Sequence, residues 1–138
     1  MNGPSDHARG WIAKGDNDLS AARLIIAGGG SLDVVCFLCQ QAAEKFVKAV
    51  LAYKGTTIPH IHDLGEIVEE CLIVCPHLGI TPAQVSILTP YAVELRYDLT
   101  FVPPPPEAQS AVQTAELVRG RVLAVLPPDA HPPEPPSP

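Results

Sequence analysis

Cys39-Gln40-Gln41-Ala42-Ala43-Glu44-Lys45-Phe46-Val47-Lys48-Ala49 repeats its apolar residues every three or four positions. That is the period of an α-helix with one buried face. Extended in both directions, the stripe takes in Leu32, Val35, Cys36, Cys39, Ala43, Phe46, Val47 and Val50. Gln40, Gln41, Glu44, Lys45 and Lys48 fall on the opposite side. Ser31 is placed to cap the start of this helix, and Gly55 stops it just after Lys54.

The same period continues on both flanks. Upstream, Ala8, Trp11, Ile12, Gly15, Leu19, Ala22 and Ile26 predict a helix from about Asp6 to Ala27, closed by Gly28-Gly29-Gly30. Downstream, Leu64, Ile67, Val68, Cys71 and Leu72 predict a third helix that starts near His62 or Asp63 and ends before Pro76. Thr81-Pro82 opens a fourth, carrying Val85, Leu88, Tyr91, Ala92 and Leu95, with Pro90 expected to break or kink it. Pro103 to Pro106 form a rigid connector into a fifth helix from about Glu107 to Leu126. No strand pattern appears, so the fold class read from the residues is all-α.

One domain is expected for a chain of 138 residues, here residues 1–126. From Pro127 onward seven of twelve residues are proline, and almost nothing is apolar. Such a segment gains too little from burial to offset its ordering entropy. Residues 127–138 are therefore expected to be a disordered tail whose removal leaves the melting temperature unchanged. Formal net charge is −6, from 9 basic and 15 acidic residues. That excludes a general nucleic-acid binder, which needs a broad basic field. Any phosphate contact has to be local. The N-terminus carries no apolar run of the kind a signal peptide needs, and no stretch is long enough to span a bilayer. A cytoplasmic, reducing location is expected, with the four cysteines as thiols.

The quoted run resembles the second-helix signature of HEPN domains (higher eukaryote and prokaryote nucleotide-binding). His62-Asp63-Leu64 is similar to the family's third-helix start. Tyr91-Ala92-Val93-Glu94-Leu95-Arg96-Tyr97 is similar to its tyrosine-to-arginine stretch. The alanine-rich helix after the proline run fits its last, so the resemblance covers roughly Trp11 to Leu126. It implies an up-and-down helical bundle that dimerises. It also implies a minimal nucleotidyltransferase as partner, in some members as a toxin–antitoxin pair. One branch of the family consists of metal-independent ribonucleases. They carry an arginine followed after four to six residues by a histidine, which shuttles a proton while the arginine stabilises phosphorane charge. Here Arg96 is followed by Tyr97, Asp98, Leu99, Thr100, Phe101 and Val102, and the next histidine is His131. A non-catalytic domain is therefore the leading reading. A divergent ribonuclease using Arg96, with His62 as substitute base, and a helical dimeric scaffold module are the alternatives.

Several residues are candidates for a nucleotide or RNA site. Arg96 suits bidentate phosphate contact and Tyr97 can stack on a base. The alternative has Arg96 paired with an acidic neighbour such as Asp63, and Tyr97 packed at the core edge. Gln41 and Lys48 can line a cleft and meet a phosphate or base, or Lys48 can simply pair with Glu44 four residues before it. His62-Asp63 reads first as a helix cap. Phe37, on the polar side of the second helix, is the candidate core of a homodimer interface. Cys36, Cys39, Cys71 and Cys75 lie at matching heights if the second and third helices form a hairpin, so that a tetrahedral metal site is geometrically open. All four also lie on apolar stripes, and core packing is the preferred reading. No cofactor is called for.

Overall fold

A computed structural model of the protein describes residues 3–60, 63–91 and 102–133. The elements are α1 (Pro4–Ala27), α2 (Leu32–Tyr53), α3 (Leu64–Val74), the short α4 (Pro82–Val85) and α5 (Pro105–Val125). Single 3-10 turns lie at Ser86–Leu88 and Pro128–Ala130. Among the described residues there is no strand.

Each boundary has a local cause. The Gly3 amide donates to Asp6 at 3.1 Å, and Pro4 takes a first-turn position where its missing N–H costs nothing. At the far end of α1 the chain reverses through Gly29 at φ 74, a conformation that a Cβ would disfavour. Asp63 caps α3, accepting from the amides of Gly65 at 2.9 Å and Glu66 at 3.4 Å. Thr81 and Gln84 form a reciprocal capping box around Pro82.

α2 is the hub. It is buried on most of its circumference, including Val35, Cys39, Ala43, Phe46, Val50 and Leu51. α1 lies antiparallel against it across a short turn and comes very close at Gly15. A Cβ there would lie 2.6 Å from Phe46 Cε1 and 3.2 Å from the Ala42 carbonyl. Lys45 ties the same seam to Asp18 at 2.5 Å. α5 packs on another side of α2 and runs antiparallel to α1. Two ion pairs link them: Arg119 grips Asp16 at 2.6 and 3.1 Å, and Arg23 meets Glu116 at 3.0 Å. α3, α4 and the 3-10 turn after it close the remaining side with Leu64, Ile67, Val85 and Leu88.

Two expectations need correction. The fourth helix was to run from Pro82 through Leu95 with its break at Pro90. The interruption comes earlier, in the 3-10 turn at Ser86–Leu88, and helix resumes at Thr89. Pro90 then occupies a first-turn position where no donor is lost. The proline-rich tail was to be solvated and disordered from Pro127. Residues 127–133 instead pack on the body. Ala130 is fully buried, Arg9 donates to the Asp129 carbonyl, and His131 Nε2 meets the carbonyls of Leu123 at 2.7 Å and Leu126 at 3.0 Å. The prolines themselves lower the entropy lost on docking, because their φ is already fixed. Residues 134–138 lie outside the described residues.

Candidate functional site

Where α1 crosses α2, polar groups gather around Trp11. The Lys48 ammonium reaches across from α2 and lies 5.5 Å from the centre of the indole ring. The Lys14 ammonium, one turn further along α1, lies 5.7 Å from it. Both distances fall within the range of a cation–π attraction. Lys48 also pairs with Glu44 at 3.2 Å, and this pair is largely withdrawn from water, with side chains 12% and 6% exposed. In such surroundings each charge depends on the other. Lys14 is exposed and has no carboxylate partner among the described residues. An open groove beside the ring is lined by Asp6, His7, Gly10, Trp11 and Lys14. Asp6 contributes little free charge to it, because its carboxylate already binds Arg9 and the Gly3 amide.

Behind this cluster the polar row of α2 continues inward as Gln40, Glu44 and Lys48, spaced four apart. Gln41 Nε2 donates to Gln40 Oε1 at 2.6 Å. Gln40 is fully buried, and its Nε2 has no partner among the described residues. An unsatisfied buried amide atom costs about 1–3 kcal/mol.

Of the residues singled out in the sequence, Lys48 meets Trp11 and Glu44, whereas Gln41 bonds to Gln40; Trp11 and Lys14, which were not singled out, join Lys48. In the sequence Trp11 is one more apolar residue of the first stripe. The signal present there is an aromatic with a lysine three residues on. Arg96, Tyr97 and His62 lie outside the described residues. Asp63 is the helix cap expected of it. Phe37 is half-buried on α2.

The cysteines stay apart as two pairs. Cys39 has Cys36, Glu116 and Arg23 as its charged or titratable neighbours, whereas Cys71 has Cys75 and Lys54. The matching heights fail because α3 begins only after the long connection from Lys54 to Asp63, which sets Cys71 beside the C-terminal end of α2. Among the described residues no three histidines, cysteines or acids converge as metal ligands. All four thiols are buried. Loss of water around them raises Cys36 to about 11 and Cys39 and Cys71 to about 12, so these three are protonated and poor nucleophiles at neutral pH. Burial likewise pushes the Tyr91 hydroxyl up, reinforced by its hydrogen bond to Glu107.

A helical hairpin with further helices packed around its second member defines a small all-α bundle. Its sequence matches the HEPN domain over residues 8–125, and the chain belongs to that family. TT1696 from Thermus thermophilus is 25% identical, with a TM-score of 0.71 over 87% of this chain and 98% of that one. ST0689, an archaeal HEPN homologue, is 22% identical, with a TM-score of 0.64 over 90% of this chain and 98% of that one. No curated protein sequence gives a significant match. No helix among the described residues is long and apolar enough to cross a membrane.

Proposed function

We propose that this HEPN domain is a non-catalytic module of a nucleotide- or RNA-associated process, working beside a minimal nucleotidyltransferase in a toxin–antitoxin-like pair. The observation that carries this reading is the sequence after Arg96. Tyr97 to Val102 contain no histidine, so the proton carrier of the family's ribonuclease branch is missing. The next one, His131, has its Nε2 engaged by two backbone carbonyls. The net charge of −6 also favours a protein partner over free RNA.

Arg96 and Tyr97 are the proposed phosphate and base contacts. Titration with nucleotide or RNA, run beside a cleavage assay, tests this. Arg96→Ala should weaken binding by about 1.5–3 kcal/mol, as expected for hydrogen bonds to a charged group. The wild type should leave RNA intact. Cleavage abolished by Arg96→Ala would establish the divergent ribonuclease instead. Absence of any binding would leave the scaffold module standing. We further propose a homodimer with Phe37 in its interface. Sedimentation should show the wild type as a dimer and Phe37→Glu as a monomer, and a wild-type monomer at micromolar concentration refutes it.

A further inference from the structure

We infer that the groove beside Trp11 is a binding site for a nucleoside 5′-phosphate, either free or at the end of an RNA strand, with the base stacked on the indole and the phosphate held by Lys14. This rests on the nucleotide reading above but assigns the ligand to Trp11 and Lys14 of α1 instead of Arg96 and Tyr97.

Three features carry it. The first is the ring itself, half-buried yet lining an open groove. An indole offers a flat apolar face to any base, whatever its sequence. Gly10, one turn before Lys14, keeps the floor open, since a Cβ there would meet nothing within 4 Å. The second is charge. Asp6, the acid that lines the groove, is already compensated by Arg9, and behind the ring Glu44 and Lys48 neutralise each other. Lys14 is the uncompensated cation, so a phosphate entering here meets net attraction on a protein that is acidic overall. The third is the pairing of ring and cations. Both ammoniums lie over the indole, at 5.5 and 5.7 Å from the ring centre, so a base reaches the ring when Lys14 moves aside and takes the phosphate. Lys14 is exposed and can swing from the ring to a phosphate. An acidic peptide would engage the lysines but leave the indole unused, and an apolar partner would use the indole but strand the lysines.

Trp11 is the protein's one tryptophan, so its emission reports on this groove alone. The experiment titrates full-length protein with adenosine 5′-monophosphate, with adenosine, with inorganic phosphate, and with a short oligoadenylate bearing a 5′-phosphate. Saturable quenching by the monophosphate, much weaker with adenosine or phosphate alone, is expected. Tighter binding of the oligonucleotide identifies the RNA end as the ligand, and equal binding identifies the free nucleotide. Lys14→Glu, at an exposed position and checked for helix content, should lower affinity about tenfold or more. Trp11→Phe, followed by anisotropy of a labelled nucleotide and checked for helix content, should weaken binding while keeping the fold. If nucleotide binds by anisotropy but Trp11 emission is unmoved and Lys14→Glu is silent, this site is wrong and the Arg96 reading survives. If no nucleotide binds at all, both fall.

Discussion

At the scale of single residues, the packing of α1 on α2 turns on Gly15. Phe46, which a new Cβ would strike, is fully buried and has nowhere to swing. Overpacking of this kind costs about 1–3 kcal/mol. Alanine's better helix propensity returns at most about 1 kcal/mol. Gly15→Ala should therefore lose stability in urea denaturation. Gly120→Ala should gain up to about 1 kcal/mol, because nothing lies within 4 Å of a Cβ there. Equal behaviour of the two variants would refute the close approach. Residues also mark where the sequence stops being legible. Asp63 is readable as a cap because its partners are two and three positions away. Trp11 is not readable as part of a site, because its second cation is 37 positions distant and only the hairpin brings them together.

At the scale of elements, the helices are written plainly in the chain. Apolar spacing gives their existence, and Gly28, Gly55 and Pro76 give the ends of α1, α2 and α3 to within a few residues. Spacing carries no information on how one helix is set against the next, and this is why heights alone allowed the two cysteine pairs to meet. The docked segment at residues 127–133 escapes for a different reason. Its hold depends on one small apolar residue, Ala130, and on backbone carbonyls, neither of which stands out in a proline-rich run. Deleting residues 127–138 should cost about 1–2 kcal/mol, or roughly 3–8 °C in melting temperature. It exposes the side of α1 that Ala130 covers and takes from Arg9 the Asp129 carbonyl. An unchanged melting curve would return this segment to the solvent.

At the scale of the whole molecule, the buried thiols couple stability to alkaline pH. Cys36, Cys39 and Cys71 hold their protons to about 11, 12 and 12 when folded, against 9.0 when free. Above pH 9 the unfolded chain therefore binds fewer protons than the folded one, and stability falls as pH rises. The contribution is complete below about pH 9 and is lost progressively from there up to the folded values of about 11 and 12, at up to about 1.4 kcal/mol per pH unit for each thiol. Urea midpoints at pH 8 and pH 10.5 measure this, and a flat profile would contradict it. The bond from Arg9 to Asp129 has a consequence of another kind. It joins positions 120 residues apart, whereas α1 meets α2 across a short turn. On a chain synthesised from its N-terminus the hairpin has its partners almost at once. α5 must follow before Asp16 meets Arg119, and Arg9 finds its acceptor only when residue 129 has emerged. The flank of α1 is thus the last surface to be sealed. During synthesis it is the face this protein leaves open longest to chaperones and to premature association.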